Sequence, residues 1–176
     1  MMRISISGIS SKAQAGFTLI ELTIVVLLLG LFAGLTVPLL TGFGQDKLDA
    51  SARRLAGTVK YLFNEAALAK TPHRIVFNLD EGNFQAKRLD HDEWVEVGGS
   101  GRLQKLPGEV RFRDITVPGR GLYTSGEVII EILPVGWMEE TVLHLQERNK
   151  ERTLHIKPFT GTTEVFDGYR EFEAQR

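Results

Sequence analysis

The stretch Gly16-Phe17-Thr18-Leu19-Ile20-Glu21 opens an apolar run that continues to Leu40 and contains one carboxylate. An ionisable group at bilayer depth costs at least about 2.5–3.5 kcal/mol, so Glu21 is expected to have a function and a partner. Cleavage after Gly16 would give Phe17 a new α-ammonium group, and this cation is the expected partner for Glu21 of a neighbouring subunit. The stretch therefore predicts a subunit that is stored in a membrane and assembles with other subunits.

The apolar run has the length of a membrane helix. Residues 17–40 would extend about 36 Å as an α-helix, which is enough to span a bilayer with some tilt. Arg3 and Lys12 are the basic residues ahead of the run, and they would keep that end in the cytoplasm. An ordinary secretory signal has its cleavage site after the apolar core, and this run has no clear site there. We therefore expect a leader peptide at 1–16 and a transmembrane and assembly helix at 17–40.

Length and composition fit one modest globular domain with an appendage. The chain has 176 residues, of which 43% are hydrophobic and 24% are charged. Its net charge is −1, and removal of residues 1–16, with Arg3 and Lys12, would change it to −3. This balance gives no electrostatic footprint for nucleic acid. The absence of cysteine excludes disulfides and cysteine-ligated metals.

Residues 41–71 predict an amphipathic helix that follows a short break at 41–44. Apolar residues recur at alternating spacings of four and three, which is typical of a helix with one apolar face. Thr71-Pro72 is expected to end this helix, because proline disfavours helical geometry in the preceding residue. The predicted apolar stripe consists of Leu48, Ala52, Leu55, Val59, Leu62, Phe63, Ala66 and Ala69.

From residue 72 onward the sequence carries strand and turn signals. A hairpin is predicted where the alternating stretch 74–79 returns as 83–87 through Asp80-Glu81-Gly82. The nearly continuous apolar stretch 128–133 predicts a central strand covered on both faces. Further strands are predicted at 94–97, 110–117, 141–146, 153–157 and 163–166. The order predicts an α+β fold, in which a long N-terminal α-helix, half transmembrane and half amphipathic, packs on an antiparallel β-sheet domain at 72–176.

The stretch Gly16-Phe17-Thr18-Leu19-Ile20-Glu21-Leu22 resembles the prepilin motif of type IV pilins and type II secretion pseudopilins. The resemblance implies that a membrane aspartyl peptidase, the prepilin peptidase, cleaves between Gly16 and Phe17 and methylates the new amine of Phe17. It also implies that Glu21 pairs with the Phe17 amine of an adjacent subunit during assembly. Gly30 and Pro38 match positions at which helices of this family loosen within the assembled fibre.

Residues beyond the apolar run are similar to those of the H-type minor pseudopilins, the GspH/FimT family. The matching features are Arg53-Arg54-Leu55-Ala56, Asn64-Glu65-Ala66, Ile75-Val76-Phe77, Leu133-Pro134-x-Gly136 and Thr160-Gly161. This similarity implies a minor pseudopilin of a type II secretion system, assembled into a periplasmic pseudopilus that helps to export folded proteins. The alternative is a FimT-like minor type IV pilin involved in pilus assembly, adhesion or DNA uptake.

The resemblance also sets the expected location and partners. We expect a single-pass protein of the bacterial inner membrane, with its soluble domain in the periplasm. The expected partners are prepilin peptidase, other major and minor pseudopilins, the inner-membrane assembly platform and the lipid bilayer. A DNA-binding relative would need a basic face, and Arg170 and Arg176 among Glu171 and Glu173 do not make one. No nucleic-acid partner is therefore expected.

No enzyme, cofactor or metal site is predicted. Asp90-His91-Asp92-Glu93 is a turn-like cluster, whereas carboxylate catalysis needs two acids that converge from separate elements. Gly98-Gly99-Ser100-Gly101 lacks the lysine and the following helix of a phosphate cradle, so it is expected to be a mobile loop. The acids in Asp167-Gly168-Tyr169-Arg170-Glu171-Phe172-Glu173 lack the spacing of a calcium cage. Trp94 and Trp137 are expected to serve packing.

The last predicted hairpin raises one further possibility. If Leu145 pairs with Leu154 and Leu143 with Ile156, His144 faces His155 across the two strands. Two imidazoles on one sheet face could bind zinc, but no third ligand is evident nearby. We therefore expect a polar face open to solvent, shared with Gln146 and Thr153.

Overall fold

The computed structural model describes the backbone of residues 18–42 and 47–172, and the side chains of residues 18–34 and 47–172. The chain divides into two compact units, Met1–Gly44 and Gln45–Arg176. The first unit contains helix α1 (Leu19–Gly42), and the second contains helix α2 (Lys47–Ala69) and all the described strands.

Helix α1 is apolar on every side. Its side chains from residue 19 to residue 34 are exposed within this chain, with Leu19 at 84% and Phe32 at 67%. A helix without a polar face has no side suited to water. The helix continues through Thr41 and Gly42, where a break was expected, while the other two residues of that break lie outside the described residues. In the part of the chain described here, no helix combines the length and apolarity that a membrane crossing requires.

Helix α2 buries one face, as its sequence period predicts. Leu48, Leu55 and Leu62 are fully buried, whereas Ala69 at the end of the predicted stripe is exposed. The chain leaves the helix at Lys70, which has a positive φ of 54°, and Thr71-Pro72 follow. The helix therefore ends where the proline predicts. The buried residues of α2 are Leu48, Ser51, Ala52, Leu55, Thr58, Val59, Leu62, Phe63 and Ala66.

The described strands form two antiparallel sheets. The first sheet contains β1 (His73–Asn78), β2 (Asn83–Asp90), β3 (Glu93–Glu96), β4 (Gln104–Lys105), β7 (Glu127–Leu133) and β8 (Trp137–Met138). Its spatial order is β3-β2-β1-β7-β8, with β4 paired to β2. The predicted first hairpin is confirmed, with Phe77 opposite Phe84.

The second sheet follows the chain more closely. It contains β5 (Arg111–Val117), β6 (Gly121–Tyr123), β9 (Thr141–Glu147), β10 (Lys150–Ile156) and β11 (Thr163–Asp167). Its spatial order is β11-β10-β9-β5-β6. A β-bulge between Phe112 and Asp114 shifts the pairing of β5 with β9, which bends the strand locally. The two- and three-residue strands β4, β6 and β8 carry too little sequence pattern to have been predicted.

A single hydrophobic core joins α2 to both sheets. Phe77 of the first sheet meets the edge of Phe112 of the second, with ring centroids 5.7 Å apart. Each fully buried large apolar side chain contributes about 1.5–3 kcal/mol relative to an exposed one, so this core dominates the stability of the unit. The α+β fold class, with a helix on an antiparallel β-sheet domain, is confirmed. The largest fully buried side chains are Phe77, Leu48, Leu55, Leu62, Ile75, Ile115, Ile130, Ile132, Met138, Leu143, Leu145 and Leu154.

Strand β7 is not covered on both faces, and that prediction was wrong. Val128, Ile130 and Ile132 are buried, whereas Glu131 is exposed and Ile129 is partly exposed. Burial therefore alternates, and the strand is not the centre of its sheet, because β1 lies between β2 and β7.

The predicted register of the last hairpin was also wrong. Leu143 pairs with Leu154, so His144 lies opposite Thr153 and His155 opposite Val142. Glu147 pairs with Lys150, which leaves a two-residue turn instead of a six-residue connection. Arg148 in that turn has a positive φ of 53°, a geometry that tight hairpin turns require.

The glycine-rich segment after β3, which was expected to be a mobile loop, contains a short helical turn. Gly99–Gly101 forms one turn of 3₁₀-helix, and Gly101 is buried. A Cβ atom at Gly101 would lie 2.7 Å from Cβ of Val97, so only glycine fits at this position without displacement of a neighbour.

We expect Gly161→Ala to lower the free energy of unfolding by about 2–3 kcal/mol. Gly161 has a φ of +59°, and an added Cβ would lie 2.3 Å from Cγ of Phe63. Gly57→Ala is the matched control, because Gly57 lies in α2 with no atom within 4 Å of the added methyl group. It should raise stability by about 0.5–1 kcal/mol. Urea denaturation followed by circular dichroism measures both variants, and equal effects would contradict the expected close contact.

Candidate functional site

The N-terminus of α1 is capped by Thr18. The backbone N–H of Glu21 donates to the side-chain oxygen of Thr18 at 3.3 Å and to the carbonyl oxygen of Thr18 at 3.1 Å. Thr18 is thus the N-cap and Glu21 the third residue of the helix, which is the Ser/Thr-x-x-Glu pattern of helix starts. A carboxylate in the first turn also interacts favourably with the helix dipole. The spacing Thr18-Leu19-Ile20-Glu21 contained this signal, which sequence reasoning did not use.

Glu21 is the one ionisable residue of α1. Its side chain is exposed, and among the described residues its carboxylate has no ion-pair partner. The nearby hydroxyl of Thr23 donates to the carbonyl oxygen of Leu19 at 2.8 Å, so that polar group is satisfied within the helix. Gly16 and Phe17, the predicted cleavage pair, lie outside the described residues. The first turn of α1 therefore presents a carboxylate that a second molecule could reach.

Gly30 and Pro38 both lie within α1, which is helical from Leu19 to Gly42. A Cβ added at Gly30 or at Gly34 would meet no atom within 4 Å. The two glycines are four residues apart and so lie on one side of the helix, where another helix could approach closely. The loosening of the helix at Gly30 and Pro38 within a fibre stays a prediction.

A second polar cluster lies on the second sheet, on the face opposite the core. Residues 168–172, here named the C-terminal strap, cross this face. His144 Nδ1 lies 2.5 Å from Oδ1 of Asp114, and its Nε2 lies 3.0 Å from the carbonyl oxygen of Arg170. The His144 ring stacks on Tyr169 with centroids 3.9 Å apart. Because both ring nitrogens of His144 are engaged, the His144–Asp114 pair attaches the strap to the sheet and offers no free nitrogen to a substrate.

The strap buries further polar groups of β10. The Thr153 hydroxyl donates to the carbonyl oxygen of Gly168 at 2.7 Å and accepts from the N–H of Arg170 at 2.9 Å. His155 lies 2.6 Å from Glu140 Oε1, and its ring lies 4.3 Å from that of Phe172. The predicted solvent-exposed face was therefore wrong. His144, Thr153 and His155 are 1%, 0% and 5% exposed, because the strap covers them.

The pKa of the Tyr169 phenol is raised in the folded protein. Burial and then the neighbouring Asp114 carboxylate raise the pKa of the Tyr169 phenol above its usual 10.0, because both disfavour the phenolate. The Arg113 guanidinium, 4.4 Å from the ring centre, opposes this shift. Tyr169 thus packs on the sheet as a neutral phenol.

The other polar residues singled out in the sequence remain separate. His91 is exposed and lies 2.8 Å from Asp90 within the same turn. Trp94 lies under the guanidinium of Arg74, 4.1 Å from the ring centre, which is a packing contact. Within residues 18–42 and 47–172, no group of three or more histidine and acidic side chains is placed to hold a metal ion.

Comparison with known proteins identifies both the motif and the fold. Residues 11–37 match the family model of the Prokaryotic N-terminal methylation motif. The chain is 37% identical over 90 residues to type II secretion system protein H of Pseudomonas aeruginosa. The aligned part covers 49% of this chain and 51% of the relative, so the match spans about half the length of each protein. The resemblance to prepilins and to H-type pseudopilins is therefore confirmed.

Two solved structures of the minor pseudopilin EpsH from the Type 2 Secretion System of Vibrio cholerae share the architecture. Their TM-scores are 0.56 and 0.57, and each is 16% identical to this chain. The matches cover 69% and 72% of this chain and 98% and 99% of the EpsH chains. At this identity the likeness establishes the fold.

We expect His144→Ala to lower the free energy of unfolding by about 2–3 kcal/mol, because it leaves Asp114 buried without this partner and removes the anchor of the strap. The matched control is His91→Ala, since the His91 side chain is 97% exposed. The control should change stability by less than about 0.5 kcal/mol. Urea denaturation measures both variants, and a small effect for both would contradict the anchoring role.

We also expect Tyr169 to make stability depend on alkaline pH. Its folded-state pKa is raised, so its contribution is complete below the usual value of 10.0 and decreases as the pH rises through the folded-state pKa. The stability difference between the wild type and Tyr169→Phe should therefore shrink between pH 9 and pH 12. Urea denaturation across this range, with Tyr61→Phe as the control, tests the prediction. A constant difference would contradict it.

Proposed function

We propose that this chain is a minor pseudopilin of a type II secretion system, which assembles into a periplasmic pseudopilus and helps to export folded proteins. The observation that carries the proposal is the methylation motif over residues 11–37, in which Glu21 lies in the first turn of an apolar helix. Type IV pilins share this motif. The assignment to secretion is supported by the identity to protein H and by the EpsH fold.

Processing is the first proposed step. Prepilin peptidase would cut between Gly16 and Phe17 and then methylate the amine of Phe17. Methylation of an amine leaves it able to carry a positive charge. The mature chain would therefore begin with a cation four residues before the Glu21 carboxylate.

Pairing between subunits is the second proposed step. The Thr18 cap occupies the backbone N–H of Glu21, and the Glu21 carboxylate is exposed. Two unit charges 4 Å apart attract by about 4 kcal/mol at an effective dielectric constant of 20. This is similar to the cost of about 2.5–3.5 kcal/mol for a lone carboxylate at bilayer depth. A Phe17 amine of the adjacent subunit would thus offset the burial of Glu21 and set the register between subunits.

Each segment of the chain has a proposed location. We propose that the segment 17–40 holds the protein in the inner membrane, that 1–16 is the leader, and that 41–71 and 72–176 form the periplasmic part. The exposed apolar side chains of α1 would be covered by lipid before assembly and by other pseudopilin helices afterwards. The inner-membrane assembly platform would transfer the subunit between these two environments.

The N-terminal mass of the protein, extracted from membranes with and without co-expressed prepilin peptidase, tests the processing step. With the peptidase, the mature chain should begin at N-methylated Phe17, and without it the leader should remain. A chain that still begins at Met1, or that is cut after the apolar run, would overturn the proposal.

The variant Glu21→Gln separates the charge from the helix start. Glutamine keeps the backbone N–H that Thr18 caps, so α1 should begin at the same residue and processing should be unchanged. Loss of the charge-assisted contact should reduce cross-linking to neighbouring pseudopilins by about tenfold. Thr23→Ala is the control, because it removes a hydroxyl that bonds only within the helix. Wild-type cross-linking by Glu21→Gln would contradict the pairing step.

A further inference from the structure

A cleft of about 590 Å³ opens between α2 and the turn at Gly99–Gly101. Its volume is within the range of protein ligand sites. Gly57 has no side chain, and no atom lies within 4 Å of its missing Cβ, so this part of α2 leaves space between its neighbours. The lining residues are Arg53, Arg54, Gly57, Thr58, Gly99, Ser100, Arg102, Leu103 and Gln104.

Three arginines around this cleft lack partners. In the described part of the chain, Arg53, Arg54 and Arg102 make no side-chain hydrogen bond, ion pair or ring contact, and all three are exposed. Among the described residues, none that lines the cleft is acidic. Every other arginine of the described residues has a side-chain partner; these are Arg74, Arg88, Arg111, Arg113, Arg120, Arg148, Arg152 and Arg170. The arginines without partners are therefore gathered in one concave site.

The chemistry of these side chains indicates an anionic ligand. A guanidinium presents a planar set of N–H donors that matches a carboxylate or a phosphate in two-point contact. Three such groups around one cleft repel each other until an anion enters between them. Sequence reasoning found no basic face, because Arg53 and Arg54 are far from Arg102 along the chain.

Gln104 adds a second feature, which distinguishes among anions. Its side chain is 6% exposed, and its Nε2 donates to the Ser100 carbonyl oxygen at 2.5 Å and to the Thr58 hydroxyl at 3.3 Å. These two bonds hold the amide against α2 and the turn. Its Oε1 is buried and has no hydrogen-bond partner in the described residues. A buried acceptor without a donor is unfavourable, so a ligand N–H group that reaches Oε1 through a small turn of the Gln104 side chain would satisfy it.

The edge of the cleft also has an apolar contact. The side chain of Leu103 is 60% exposed beside Arg102. A ligand with carboxylates, an N–H donor and an aliphatic part would therefore use every type of surface that the cleft presents. A peptide with acidic side chains has all three, whereas a nucleic acid carries its N–H donors on the bases and has no aliphatic side chain. Nucleic-acid binding also uses many cations along an extended surface, and this chain has a net charge of −1.

We infer that this arginine cleft binds an acidic peptide segment of another protein. Carboxylates of the segment contact Arg53, Arg54 and Arg102, and a main-chain N–H donates to Oε1 of Gln104. The inference does not depend on the proposed function, because it concerns only the folded C-terminal unit and not the N-terminal processing or assembly.

Binding of a fluorescein-labelled hexaglutamate peptide to the full chain in mild detergent tests the inference by fluorescence anisotropy. Binding should be measurable at low salt and should weaken as the salt concentration rises. Arg102→Gln should weaken it by about tenfold, and Arg53→Gln should have a similar effect. Arg148→Gln is the matched control, because Arg148 lies in an exposed turn outside the cleft and pairs with Glu109. The control should bind the peptide as the wild type does.

Two polyanion probes distinguish the ligand classes. An oligoacrylate of equal charge has no N–H donor and should bind more weakly than hexaglutamate, and equal binding would overturn the role of Gln104. A single-stranded oligothymidylate of equal charge should also bind more weakly, and tighter binding that depends on the same arginines would replace the peptide with nucleic acid. Absence of hexaglutamate binding at low salt, or equal loss in Arg148→Gln and Arg102→Gln, would overturn the inference.

Discussion

The C-terminal unit depends on the burial of one face of α2 against both sheets. Leu48, Leu55 and Leu62 follow each other at the helical period and are fully buried, so a single helix closes one core. The two sheets meet through that core, as in the edge contact between Phe77 and Phe112. Because this face is occupied, the opposite side of α2 remains available. Arg53 and Arg54 lie there, and they line the arginine cleft.

Local signals in the sequence were sufficient for the elements that have a strong period or a strong turn. The stripe of α2 was predictable except at Ala69, since a small residue at a helix end gives little indication of burial. The first hairpin was predictable because Asp80-Glu81-Gly82 marks its turn. The register of the last hairpin was not, because its turn contains no glycine and Arg148 adopts the positive φ there. In β7 the apolar run did not reveal that Ile129 is only partly covered.

The candidate sites also differ in whether the sequence alone could reveal them. The methylation motif is contiguous, so Gly16, Phe17 and Glu21 could be recognised together from the sequence. The cluster around His144 joins residues from β5, β9 and the strap, and the arginine cleft joins α2 to the turn after β3. Each depends on a tertiary fold that no short spacing encodes. Glu21 illustrates how one residue serves two purposes: its backbone N–H begins α1, while its side chain remains available to another molecule.

The second sheet gains its last cover only when the C-terminal strap is in place. A chain made from its N-terminus can pair every strand of both sheets before residues 168–172 are available. Until then, Thr153 and His144 face water in place of Gly168 and Arg170. Closure of the strap therefore requires residues 168–172, which follow the last strand of either sheet along the chain. A chain that crosses a membrane in the same order would keep this face hydrated until residues 168–172 emerge.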